Sequence, residues 1–176
     1  MTRDEQFEAM PEPPYKGILI MMCGLPRSGK TTWALQKGYP IVCPDAIRLA
    51  LHGQRFVPDA EPIVWAIAEY MVKALFLAHH RTVILDATNG TQKRRDRWAN
   101  PMWDRLFVVV DTPPDVCLQR AEVENDAEIA PIIADMSIKW EPPTTEELKE
   151  WESLRAPINV NRWAEVNPLD NRGVRT

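Results

Sequence analysis

The sequence predicts an α/β fold, a parallel sheet of four to five strands flanked by helices. Short apolar runs alternate with longer stretches of helical spacing, the pattern of strands joined by helical crossovers. The first apolar run, Ile18 to Cys23, leads directly into Gly24-Leu25-Pro26-Arg27-Ser28-Gly29-Lys30-Thr31, which has the form G-x-x-x-x-G-K-[ST]. Two later runs are followed closely by an acid, Asp45 and Asp86. In parallel sheets that carboxyl edge is where ligands bind.

The glycine-rich stretch is a phosphate-binding loop, and a strand before it with a helix after it is the context it requires. The segment from Gly24 through Thr32 is expected to wrap the β-phosphate of ATP. Lys30 is expected to reach the β- and γ-phosphates, and the Thr31 hydroxyl to bind Mg²⁺. By itself the motif establishes only that a nucleoside triphosphate binds.

The first helix runs from Thr31 to Lys37, with Gly38 as its C-cap, and Ile41 to Cys43 form strand two. Asp45 to Leu51 is a short helix closed by Gly53. Asp59 to His80 is a long helix, with Ile63, Ile67, Tyr70, Met71, Ala74, Leu75 and Ala78 at three- and four-residue spacing. His79 and His80 close it, where the helix dipole favours partial positive charge. Thr82 to Leu85 is strand three, Thr91 to Trp98 a basic helix and Leu106 to Val110 strand four. Two helices follow, Pro113 to Glu124 and Ala127 to Trp140. Thr144 and Glu147 form a capping box opening a helix through Leu154, and Ile158 to Val160 is a short last strand. Residues 1–16 read as a mobile arm, 17–160 as the nucleotide-binding domain and 161–176 as a loose tail.

The 176 residues suffice for one domain with a real core, and 45% hydrophobic with 26% charged is an ordinary globular balance. No apolar run has membrane-spanning length, and the polar, proline-rich start lacks a signal peptide, so a cytoplasmic protein is expected. Cys23, Cys43 and Cys117 are too scattered for a zinc site and read as reduced thiols. A net charge of −4 gives no general nucleic-acid signal, so any such contact must come from a local basic patch.

Each strand end carries a candidate. Asp45 is placed to take a proton from an attacking hydroxyl, or to cap the helix beginning near Ala46. Arg48, three residues on, either holds an acceptor phosphate or pairs locally with Asp45. Asp86 closes an apolar strand in the manner of a Walker B acid and is placed to join the Mg²⁺ shell. Thr88 and Asn89 follow it and are candidates for substrate contact. Lys93, Arg94, Arg95 and Arg97 form either a solvated helix face or a phosphate patch, with Arg94 a candidate contact. Arg120 either stabilises charge on the transferred group or pairs with Glu124 at i,i+4.

Together these residues resemble the 5′-kinase domain of phage-type polynucleotide kinase and related small P-loop kinases. The resemblance spans roughly residues 17–160. It rests on Gly24 to Ala34, Pro44-Asp45-Ala46-Ile47-Arg48, Leu85-Asp86-Ala87-Thr88-Asn89, Lys93-Arg94-Arg95, Gln119-Arg120 and Lys139 to Thr144. It implies a kinase-type P-loop NTPase sheet with a helical lid, and transfer of the ATP γ-phosphate to a 5′-hydroxyl of DNA or RNA. It also implies Asp45 as general base, Arg48 on the acceptor phosphate and Arg120 as the lid cation. The family's lid carries further basic residues after that arginine, whereas this chain has the acidic run Ala121 to Asp126. Arg27, standing where glycine is commoner, is the candidate substitute cation. The 3′-phosphatase half of many members is expected to be absent. The acidic lid and net charge keep a small hydroxyl acceptor open (nucleoside, nucleotide, sugar or antibiotic). A nucleotide-binding regulatory module without transfer activity is the third reading, disfavoured by the Asp45–Arg48 pair. The oligomeric state is left open.

Overall fold

The computed structural model describes residues 15–148. Four strands, β1 (Gly17–Cys23), β2 (Ile41–Val42), β3 (Thr82–Leu85) and β4 (Trp103–Val109), form one sheet in the order β2-β3-β1-β4. Every pairing is parallel. The helices are α1 (Lys30–Leu35), α2 (Pro44–His52), α3 (Glu61–Leu77), α4 (Gln92–Asp96), α5 (Pro114–Val123) and α6 (Ile129–Ile138), with a 3-10 turn at Pro58–Ala60. The expected strand 158–160, the tail and all but the last two residues of the arm lie outside the described residues. Those two are held: the Tyr15 hydroxyl donates to the His79 carbonyl, and Lys16 pairs with Asp104. Among the described residues no helix is long and apolar enough to cross a membrane.

The alternation along β1 sorts the core into two faces. Leu19, Met21 and Cys23 join Val64, Ala68, Val72 and Phe76 of α3 on one side. Ile20 and Met22 meet Ala34 of α1 on the other. At Gly17 an added Cβ would lie 2.3 Å from the Phe76 ring, so only glycine admits that ring, which stacks on Trp103 at 5.3 Å. The third apolar cluster seats the lid: Leu25 of the loop packs with Cys117, Ala121 and Ile133 of α5 and α6.

Several element boundaries differ from expectation. The long helix begins at Glu61, and its buried stripe is Val64, Ala68, Val72 and Phe76. Ile63, Tyr70 and Met71 of the expected face are 58%, 53% and 38% exposed. The segment is apolar nearly all round, so spacing alone could not choose a face; the sheet chose it. It ends at Leu77, and His79 adopts a left-handed φ of 67° just beyond it. β4 starts three residues earlier than expected, at Trp103, because its whole length pairs with β1. The basic helix shrinks to Gln92–Asp96, capped by the Thr91 side chain. The capping box forms: Thr144 N–H donates to Glu147 Oε2 at 2.7 Å and Glu147 N–H to Thr144 Oγ1 at 3.2 Å.

Candidate active site

With β1 between β3 and β4, the turns after all three strands meet at one carboxyl edge. The phosphate-binding loop is braced there from both sides. Gly24 N–H donates to the Thr88 carbonyl after β3 at 3.1 Å, and the Thr112 hydroxyl after β4 donates to the Ser28 carbonyl at 2.8 Å. A Cβ at Gly24 would lie 2.8 Å from both Ser28 Oγ and the Val110 carbonyl, so the brace needs glycine.

Lys30 is 7% exposed and curls over the loop, with Nζ 2.6 Å from the Leu25 carbonyl and 3.4 Å from Ser28 Oγ. Burial pulls its pKa down, opposed by the charges of Asp86 and then Asp45. Both carboxylates therefore lie within electrostatic reach of the ammonium. The Thr31 hydroxyl donates to Asp86 Oδ2 at 2.7 Å, and Asp86 is 4% exposed. A hydroxyl and a buried carboxylate side by side are hard oxygen donors suited to Mg²⁺, whose remaining ligands in such sites are phosphates and water. The residues present thus fit the metal.

Asp45 sits in the first turn of α2, one residue after Pro44. Its side chain is 84% exposed and caps nothing, so the helix-cap alternative is ruled out: the helix starts one residue too early for it. Arg48 donates to Asp45 Oδ1 at 2.5 Å. Its other donors form a two-pronged pair with Glu61, Nε to Oε1 at 2.6 Å and Nη2 to Oε2 at 2.7 Å. The Trp65 indole donates to the same Glu61 oxygen at 3.1 Å, and the guanidinium lies 5.7 Å from the Trp65 ring centre. Arg48 is thus clamped with a side chain only 10% exposed. Its hydrogen bonds to Glu61 hold the Glu61 carboxyl below its usual range.

Arg120 does not pair with Glu124. Its Nη1 donates to the Arg27 and Ser28 carbonyls of the loop at 2.9 and 3.0 Å. Arg27, at a left-handed φ of 65°, turns its side chain to the acidic turn after α5, where it pairs with Glu124 and Asp126. The acidic run therefore serves as the anchor of the loop arginine.

Thr88 and Arg94 line a cavity of about 150 Å³ beside Gly24, with Lys139 and Trp140 opposite. Asn89 differs from its expected role: at 2% exposed, its amide donates to the Met22 carbonyl at 2.8 Å and ties the loop after β3 to β1. Arg95 also departs from the basic patch. It is fully buried, paired with Glu147 at 2.7 and 3.1 Å and donating to the Asn89, Glu141 and Pro142 carbonyls. Around this lock the chain leaving α6 is stitched down, with Glu141 N–H donating to the Gly90 carbonyl and Gln92 N–H to Glu141 Oε2. The sequence reading missed Glu61, Arg55, Asp126 and the Arg95–Glu147 pair as partners; only Glu147 carried a signal, through the capping box. All three cysteines are free thiols.

Sheet order, braced loop and helical lid define a nucleotide-binding protein with a kinase-type P-loop fold. A family profile described as an AAA domain matches residues 19–137, and the chain belongs to that family. The solved structures it is similar to include a chain of the Pnkp1/Rnl/Hen1 complex, at 28% identity and a TM-score of 0.54. That match covers 60% of this chain and 39% of the other, so this chain spans about two-fifths of that protein's length. A gluconokinase from Sinorhizobium meliloti is similar at 19% identity and a TM-score of 0.50, covering 88% of this chain and 98% of that one. The Mycobacterium tuberculosis APS kinase CysC, in complex with AMPPNP and APS, is similar at 17% identity and 0.52, covering 81% and 98%. The latter two likenesses speak for the fold alone. No curated protein matches. The resemblance to small P-loop kinases drawn from the motifs is upheld.

Proposed function

We propose that this chain is an ATP-dependent phosphotransferase that moves the γ-phosphate to a 5′-hydroxyl of DNA or RNA. One observation carries the reading: Arg48, clamped by Glu61, stands 2.5 Å from an exposed Asp45 that also acts on the charge of Lys30. A protein that only held a nucleotide would have no use for a fixed arginine and an open carboxylate there.

Asp45 takes the proton from the acceptor hydroxyl as its oxygen bonds to the γ-phosphorus. The bond to the bridging β,γ-oxygen breaks, and ADP leaves with that electron pair. Lys30 and Arg120 oppose the charge that develops on the transferred group. Arg48 holds the acceptor's own phosphate and so fixes the hydroxyl in line. Thr31 and Asp86 would hold Mg²⁺, which supplies charge neutralisation at the β- and γ-phosphates. Exposed Arg94 at the cavity beside the loop supports a phosphate-bearing acceptor.

A small hydroxyl acceptor is the second reading, favoured by the cavity, which at about 150 Å³ takes little more than one ring. The test is γ-labelled ATP with 5′-hydroxyl oligonucleotides of DNA and RNA, nucleosides and nucleoside monophosphates. Label on oligonucleotides, with affinity falling steeply as salt rises, supports the first reading. Label only on small acceptors overturns it. ATP binding without transfer to anything favours the regulatory module.

A further inference from the structure

The acidic turn between α5 and α6 gathers two arginines from opposite sides of the site. The Asp126 side chain is only 7% exposed. Arg27 Nη2 donates to its Oδ2 at 2.5 Å from the phosphate-binding loop. Arg55 Nη1 donates to both its oxygens, at 2.6 and 2.7 Å, from the segment after α2. The backbone fixes the carboxylate in turn: Asp126 N–H donates to the Ala121 carbonyl and its own carbonyl accepts from Ile129. Glu124 also takes Arg27, but it is 56% exposed and its pairing is screened by water.

Asp126 is therefore the rigid member and the two guanidiniums are the adjustable ones. Arg55 also feels the charge of Asp45, the proposed base. Arg120 sits on the loop carbonyls one turn before Glu124. Arg27 belongs to the donor loop and Arg55 follows α2, the helix that carries Asp45, so Asp126 ties the donor side of the site to the acceptor side.

We propose that Asp126 is a positioning residue, holding Arg27 and Arg55 on one carboxylate so that both flank the phosphoryl group in transit. The inference rests on the phosphotransfer reading above. Two long, flexible side chains held in advance lose little further freedom when the γ-phosphate arrives. The acidic lid is then consistent with a site that needs positive charge, because its acids aim arginines supplied from elsewhere.

The test compares binding of MgADP with that of a non-hydrolysable MgATP analogue, a readout that needs no acceptor. Asp126→Asn is expected to leave ADP affinity within about twofold and to lower the preference for the triphosphate about tenfold. Arg55→Ala and Arg27→Gly should each lower it similarly; glycine suits the left-handed φ at residue 27, so the side chain is removed without straining the loop. Adding Asp126→Asn to either should cost little more. An unchanged preference, or equal loss of both nucleotides, would reduce Asp126 to a structural tie. A rise in triphosphate affinity would make it a competitor of phosphate, and either result overturns the proposal. Arg55 is 56% exposed, so its variant should fold even if the Asp126 variant does not. A wild-type chain that prefers the triphosphate, loses that preference in Asp126→Asn and labels no acceptor would overturn the transfer reading and the transit role with it, leaving Asp126 to position arginines for the bound triphosphate alone.

Discussion

Replacing Glu61 by Gln tests whether the position of Arg48, and not merely its presence, serves transfer. The substitution keeps the side chain's shape. It puts an amide NH₂ where one carboxylate oxygen now accepts from Arg48 at 2.6 or 2.7 Å. One charge-assisted hydrogen bond is lost between side chains that are 10% and 18% exposed. That is worth about 1.5–3 kcal/mol. For a chain of this size each kcal/mol moves the midpoint by about 2–4 °C, so Tm should fall by about 3–12 °C. The freed guanidinium keeps its contact with Asp45, loses its orientation over Trp65 and swings toward the proposed base. A misplaced acceptor should then cost about 10–100-fold in kcat/KM, with ATP affinity unchanged. The assay is steady-state transfer from labelled ATP, run beside thermal unfolding, for Glu61→Gln, Arg48→Ala and the pair together. The double variant should be no slower than Arg48→Ala alone. If Glu61→Gln lowers Tm but leaves kcat/KM intact, or slows the Arg48→Ala enzyme as much again, the clamp is not what serves the reaction.

Asp45→Asn should leave ATP binding nearly intact and slow turnover on the order of 10²-fold, the usual worth of a general base; an unchanged rate would remove that role. Gly24→Ala should abolish ATP binding measured by calorimetry, since its Cβ would press on Ser28 Oγ and the Val110 carbonyl at 2.8 Å. Glu147→Ala strands the fully buried Arg95 guanidinium and should cost about 3–5 kcal/mol in denaturant unfolding. Burial pushes the Glu147 carboxyl up, but the Arg95 and Thr144 hydrogen bonds outweigh it and hold the group below its ordinary 4.5. Arg48 does the same for Glu61. The stability these acids lend is full above their unfolded value and lost as pH falls through the lower folded ones. Tm should therefore drop below about pH 4.5, with a shallower acid limb in Glu147→Gln; an identical limb would refute the assignment.

The fold was legible because its signals are local. A loop of fixed spacing between a strand and a helix, and acids at strand ends, need no knowledge of distant contacts. The same holds for the capping box at Thr144 and Glu147. What escaped were the partners. Glu61 meets Arg48 across 13 residues and Glu147 meets Arg95 across 52, and no periodicity joins them. The basic run Lys93 to Arg97 read as one surface because charge says nothing of burial, yet its third member is the most buried cation among the described residues. The acidic run after Arg120 read as a missing cation because sequence gives the sign of a charge but not what it faces.

The chain entering α5 is fixed at the Ser28 carbonyl through Thr112, and the chain leaving α6 is fixed at Gly90 through Glu141. The two-helix lid therefore stands as an arch with both feet bolted to the rim of the sheet. An arch cannot swing open as a door does. Its crown, residues 124–128, is tied as well, by Arg27 of the phosphate-binding loop and Arg55 of the segment after α2. The span is thus tied at three points, and the third is made of two arginines and one aspartate at its top.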